Sequence, residues 1–179
     1  MGQNSELDVE NPFWTFSLKF YGQSEVSSSC LALQDSVGAD INILLYCCWI
    51  ASQGALKIKA AEFVEIISVV QPWQSRVIGR LRDIRRSMKQ DKELILGTLS
   101  MGLRTSIKEI ELEAEKLEQM ILYKSGQKIF LDERLPRSDR ITNARINLKT
   151  YIEVISDNNS EVSNSLILTI CERLQLFVK

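Results

Sequence analysis

The stretch 41–51 constrains this chain more than any other. Ile41, Ile43, Leu44, Leu45, Tyr46, Cys47, Cys48, Trp49 and Ile50 leave it apolar on nearly every side. A helix that is apolar all round has to be covered all round, so this one reads as the buried centre of a larger assembly. It is about half the length needed to cross a bilayer. Asp40 ahead of it carries the short oxygen acceptor of an N-cap, and Gly54 behind it is a stop.

The rest of the chain supplies the covering helices. Asn11-Pro12 pairs a capping side chain with a proline at the first helical position, where its missing N–H costs nothing. The aromatic run that follows closes at Gly22, and a second helix begins near Ser24 and ends at Gly38. Phe63, Ile66, Ile67 and Val70 mark a fourth helix over 60–70, ending before Gln71-Pro72. Pro72 is then expected to start a fifth, with Trp73, Val77, Leu81, Ile84 and Met88 as its inward stripe. Leu103, Ile107, Ile110, Ala114, Leu117 and Ile121 alternate spacings of four and three, an a/d seam. Together these two predict an antiparallel hairpin over about 72–124, linked through Gly97 and Gly102 and ended by Ser125-Gly126. A charged loop over 132–140 and two further helices complete the chain, the last running from Val162 to Phe177, with a polar linker over 156–160 between them. No strand pattern of convincing length is present. The expected fold is all-α: residues 1–10 a disordered tail, residues 11–179 a single-domain bundle of seven or eight helices, with 11–70 and 72–179 as candidate sub-lobes.

Composition removes several chemistries. The chain has no histidine, which excludes Ser-His-Asp and Cys-His catalysis and His-ligated metals. Cys30, Cys47, Cys48 and Cys171 show no Cys-x-x-Cys spacing and read as small, reduced core residues. Twenty-two Lys and Arg against 23 Asp and Glu give a net charge of −1, so no global field points to nucleic acid or a membrane surface. Residues 1–10 are polar and acidic, unlike a secretory signal. No metal and no cofactor is expected: the glutamate pairs Glu62/Glu65 and Glu111/Glu115 read as solvated faces, and Gly97 to Thr105 lacks the Lys-Ser/Thr of a phosphate loop.

The residues left to carry function form two groups. On a regular helical wheel, Arg82, Arg86 and Lys89 fall opposite the Trp73 stripe, on a solvated face suited to an acidic partner. Arg76 and Arg80 flank the stripe on one side and Arg85 on the other, where Glu111, Glu115 and Glu118 of the facing helix can pair with them, or where they can hold an anion. The second group surrounds the buried helix. Asn42 in its first turn either ties the helix to a neighbour or lines a pocket with Asp40 and Trp49, Arg80 or Arg85 then holding an anionic group. The aromatics Phe13, Trp14, Phe16, Phe20, Tyr21, Tyr46 and Trp49 read as core.

Several blocks in series carry a resemblance. They are Asn11-Pro12-Phe13-Trp14 with Tyr21-Gly22, Cys30-Leu31 with Leu33-Gln34-Asp35, Asp40, Asn42 and Leu44-Leu45 with Trp49, Trp73 with Leu81-Arg82 and Arg85-Arg86, and Glu111-Leu112-Glu113-Ala114-Glu115. In that order, over roughly residues 11–120, the chain resembles an uncharacterised family of small, mostly proteobacterial, all-helical proteins. The resemblance implies a bacterial cytoplasmic protein and no particular reaction. Arg80 stands where the family pattern has an apolar residue or proline, so no role carries over to it. With no catalytic signature present, the expected function is a non-catalytic interaction protein, an adaptor or small regulatory subunit, binding another protein or itself through Arg82, Arg86 and Lys89. The alternative is a small-molecule binder or enzyme with a pocket among the N-terminal helices. Nucleic-acid binding along the helix 73–89 is third, and no membrane partner is expected.

Overall fold

Asn11 opens the first helix as its side chain predicts, Oδ1 accepting the Trp14 N–H at 2.9 Å with Pro12 at the first helical position. The computed structural model describes residues 11–90, 98–126, 131–132, 134–156 and 161–178. Their helices are α1 (Pro12–Tyr21), α2 (Ser24–Val37), α3 (Ile41–Ser52), α4 (Ala60–Trp73), a π-helical turn (Gln74–Ile78), α5 (Gly79–Gln90), α6 (Thr98–Gly126), α7 (Arg137–Ile155) and α8 (Glu161–Leu174). Because α4, the π turn and α5 are continuous, these amount to seven helical bodies, and the fold is an all-α bundle. The predicted tail 1–10, the hairpin link at Gly97 and the linker residues 157–160 lie outside the described residues. None of the described helices is long and apolar enough to cross a membrane.

The apolar helix is central. From Asn42 to Ser52 every residue of α3 is buried, with α7, α6, α1 and α2 packed around it. Asp40 caps it, its Oδ1 accepting the Asn42 N–H at 2.8 Å. α2 ends at Gly38, in the left-handed region at φ 71°, as the Gly there predicts. The aromatics join the same core. Phe13 packs on Tyr46 and Trp49, while Phe16 and Phe20 pack on Phe177, which lies beyond the end of α8 at Leu174 rather than inside it. The four cysteines are free and buried in this core. Two buried asparagines of α7 hold the connection after α3. Asn143 Nδ2 donates to the Ala55 carbonyl, and Asn147 Oδ1 accepts the Ile58 N–H at 2.9 Å.

The helix predicted to end before Pro72 runs on through it. Pro72 has no N–H to offer the carbonyl four residues back. Beyond it the helix widens into the π turn, closed by the Gly79 N–H on the Gln74 carbonyl, and Trp73 Nε1 donates to the Ala114 carbonyl at 2.9 Å. A π turn accommodates one extra residue, and at 3.6 residues per turn that rotates everything downstream by about 100°. The inward residues of α5 are therefore one position later than a regular wheel gives. Ile78 is buried where Val77 was expected, Arg82 and Arg85 face α6, and Ile84 is half exposed. The seam of α6 moves correspondingly. Ala114 is buried as predicted, but Leu103 and Ile110 are more than half exposed while Glu111 and Glu118 are buried.

Gly54 makes a close approach that only glycine allows. Its φ is 92°, the Asp132 N–H donates to its carbonyl at 3.0 Å, and an added Cβ would sit 2.2 Å from the Asp132 carbonyl oxygen. Gly54→Ala should therefore destabilise the protein by about 3 kcal/mol in chemical denaturation. Gly102→Ala, within α6 and with open space at its Cβ, should instead stabilise it by about 0.5 kcal/mol. Equal effects at the two sites would contradict the Asp132 contact.

Candidate functional site

The head of α3 meets α6 in a buried polar network. Asn42 Nδ2 donates to Glu118 Oε2 at 2.8 Å, and Gln119 Nε2 donates to Asn42 Oδ1 at 2.8 Å. The Asp40 N–H donates to the Tyr151 hydroxyl of α7 at 2.8 Å. The Asp40 and Glu118 carboxyls lie side by side, Glu118 Oε1 is engaged by no other protein group, and a hydrogen bond between the two carboxyls requires a proton shared between them. Burial pushes the Glu118 carboxyl up to about 9, helped by the charge and hydrogen bond of Asp40, so Glu118 keeps the proton at neutral pH and donates it to the Asp40 carboxylate. Asp40 is also raised, chiefly by burial, against the opposing hydrogen bonds from Glu118 and the Asn42 N–H.

A cavity of about 190 Å³ opens beside this network. Trp14, Ser17, Leu18 and Tyr21 of α1 form one wall, and Asp40, Ile41, Asn42 and Leu45 at the head of α3 form the floor. Gln74 and Ile78 of the π turn, Arg82 of α5, and Leu112, Glu115, Glu118 and Gln119 of α6 close it. Three of these side chains are buried with a polar atom that has no hydrogen-bond partner: Glu118 Oε1, which faces Asp40, and Ser17 Oγ and Gln119 Oε1, which face no protein partner at all. Each such atom costs about 1–3 kcal/mol unless water or a ligand engages it.

An ion-pair ladder between α5 and α6 borders the cavity through Arg82 and Glu115. Arg82 Nε donates to Glu111 Oε1 at 3.0 Å and Arg82 Nη2 to Glu115 Oε1 at 2.9 Å. Arg85 holds the same Glu111 through both Nε and Nη2, the latter at 3.1 Å. Burial acts to raise the Glu111 carboxyl, but its hydrogen bonds and charge pairing with Arg85 and Arg82 outweigh it, and the net shift is downward. At Glu115 burial wins and the carboxyl is raised.

A family model matches residues 12–122 of this chain. The chain belongs to the DUF2390 family. The family is described as proteins of unknown function, and no curated protein and no solved structure matches the chain. Every residue lining the cavity lies inside the DUF2390 segment; Tyr151, which supports Asp40 from α7, lies outside it.

The structure brings some of the predicted residues together and separates others. Asp40 and Asn42 line the cavity, and Asn42 both ties α3 to a neighbour and faces the pocket. Trp49 is not part of the lining; it packs among Phe13, Tyr46 and Tyr123. Arg80 is exposed, and Arg85 faces Glu111, so neither of them reaches the cavity. Arg82, placed by the wheel on the solvated face with Arg86 and Lys89, instead points inward to Glu111 and Glu115 because of the π turn; Arg86 and Lys89 are exposed. Glu115 and Glu118, expected to pair with the basic helix, divide their roles: Glu115 pairs with Arg82 and Glu118 turns to Asn42 and Asp40. Ser17, Gln119 and Arg104 were missed. Arg104 shares a small polar cleft with Asp35, Arg85, Arg86 and Lys89. A serine, a glutamine and an arginine on amphipathic helices carry no spacing that singles them out.

Proposed function

We propose that the protein binds a small organic molecule in the cavity between α1, the head of α3, the π turn and α6. The observation that carries this reading is the pair of buried, unsatisfied oxygens, Ser17 Oγ and Gln119 Oε1, on two residues that line one cavity. Core polar atoms are ordinarily satisfied. Ser17 Oγ and Gln119 Oε1 are among the exceptions here, and their residues line one cavity beside an acidic network and an apolar wall of Leu18, Leu45, Ile78 and Leu112, the composition of a ligand site. The size suits a small ligand, since a cavity of about 150 Å³ accommodates benzene. Four buried thiols favour a reducing compartment, in keeping with a bacterial cytoplasmic protein.

A second reading, the interaction protein, is favoured by a different observation. Arg86 and Lys89 converge with Arg104 on one cleft, a basic surface suited to an acidic segment of a partner protein. Arg82 is not available to that surface.

Native mass spectrometry of protein purified gently from its own host tests the first reading. A bound small mass is expected, and Ser17→Leu, which fills the cavity and removes one unsatisfied oxygen, should abolish it in a protein that remains folded. The same mass on Ser17→Leu would overturn the cavity reading. A bound protein lost on Arg86→Glu with Lys89→Glu, without any small mass, would replace it with the second.

A further inference from the structure

The charge and hydrogen-bonding pattern of the cavity narrow what it holds. Three carboxyl side chains line it, Asp40, Glu115 and Glu118, against one guanidinium, Arg82, which is already engaged by Glu111 and Glu115. An anion entering this space would meet more negative charge than positive, with no unengaged guanidinium to receive it, so the anionic ligand expected from Arg80 or Arg85 does not fit. The unsatisfied atoms point the same way. Gln119 Oε1 is purely an acceptor and Ser17 Oγ is able to accept, so the cavity offers acceptors to an occupant that donates. The nearby Asp40–Glu118 pair already holds a positive particle, its shared proton, at a place where a larger cation would be compensated by the same two carboxyls.

Resting on the cavity reading, we propose that the ligand is a small organic cation, a primary ammonium on an apolar body, whose N–H groups are received by Gln119 Oε1, Ser17 Oγ and the Asp40–Glu118 carboxyl pair. An ammonium has three donors and no acceptor, which matches this set. Burying it requires an opposite charge within the site, and the carboxyl pair provides one by giving up its proton. The exchange is balanced: the ammonium enters, Glu118 becomes a carboxylate, and one proton leaves to solvent. The apolar body lies against Leu45, Ile78 and Trp14. The titratable and charged groups facing the pair are Glu115 on α6, Arg82 on α5, Tyr151 on α7 and Tyr21 on α1. Burial holds both tyrosines above their usual range and Arg82 stays charged, which leaves the carboxyl pair to release the proton near neutrality.

Isothermal titration calorimetry with benzylamine tests this, with benzyl alcohol and benzoate as neutral and anionic probes of similar size. Benzylamine is expected to bind at least tenfold tighter than either. Titrations at pH 7 in buffers of different ionisation enthalpy should show about one proton released per amine bound, and affinity should rise up to about tenfold per pH unit from 6 to 8. Glu118→Gln, which keeps a donor toward Asp40 and an acceptor toward Asn42, should fold, release no proton and lose the pH dependence. Benzyl alcohol binding as tightly as benzylamine, lost on Ser17→Leu, would overturn the cationic class and leave the cavity reading standing. Benzylamine binding without proton release, or unchanged by Glu118→Gln, would overturn the role of the carboxyl pair. No binding of any probe to protein shown free of small molecules would overturn both the amine and the cavity.

Discussion

Glu118→Gln should stabilise the folded protein at pH 8 and flatten the alkaline side of its stability profile. In the folded chain the Glu118 carboxyl is pushed up to about 9, against an ordinary value of 4.5, by burial and by the neighbouring Asp40. The folded state therefore holds a proton that the unfolded chain releases. Its contribution is fully present below the unfolded value and is lost as pH rises from about 4.5 to about 9, at a slope of no more than about 1.4 kcal/mol per unit. Glutamine imitates the protonated acid: its amide donates to Asp40 and its oxygen accepts from Asn42. Urea denaturation of the two proteins from pH 5 to 9 should give curves that meet at the acid end and diverge above it, the variant being more stable at pH 8 by on the order of 3 kcal/mol. Parallel curves would mean that Glu118 is ionised in the folded protein at neutral pH. That result would remove the shared proton from the proposed ligand exchange as well.

The opposite sign is expected at Glu111. Its side chain is 7% exposed and engages two guanidiniums, Arg82 at 16% and Arg85 at 22% exposure. Glu111→Gln retains an acceptor but removes the charge, leaving Arg85 without its carboxylate and Arg82 with Glu115 alone. Losing one partner of a buried ion pair costs about 3–5 kcal/mol; because both arginines remain partly solvated, about 2 kcal/mol is expected here. The depressed Glu111 carboxyl contributes stability above its unfolded value that is lost as pH falls, so the variant should also lose part of the acid limb of the wild-type curve. Hydrogen exchange should locate the damage in α5 and the facing part of α6, with α3 still protected, because the ladder joins the hairpin and the core is built elsewhere. A loss below about 0.5 kcal/mol, typical of a surface pair, would show that these arginines are solvated. Together the two variants predict a wild-type stability maximum on the mildly acidic side of neutrality, between the limb set by Glu111 and the limb set by Glu118.

Much of the helical framework is legible in single stretches of sequence. Asn11 and Asp40 cap their helices because a short side-chain oxygen placed before a helix has its donor within three residues. Burial of α3 follows from its being apolar on every side, and Gly38 ends α2 because only a glycine takes that backbone cheaply. Asn42 could be marked as important because an amide in a wholly buried turn has to bond to something. What it bonds to was not legible: Glu118 and Gln119 are 76 and 77 residues away, and nothing local to any of the three residues records the pairing.

The sequence by itself determined which segments are helical, where most of them start and stop, and that α3 lies at the centre, since propensity, capping and amphipathicity act within a few turns of one chain segment. The tertiary structure alone decided which face of the hairpin turns inward. One added residue in the turn after Pro72 rotates α5, takes Arg82 from the surface to Glu111 and Glu115, and leaves Ile84 at the surface where apolar spacing would have buried it. A periodic pattern assumes a constant 3.6 residues per turn, so it cannot register that rotation. The Trp73 bond to α6 and the carboxylates waiting for Arg82 and Arg85 favour it, and those groups meet only when distant helices pack. The cavity is a product of the same event, because the π turn forms one of its walls and Arg82 closes it.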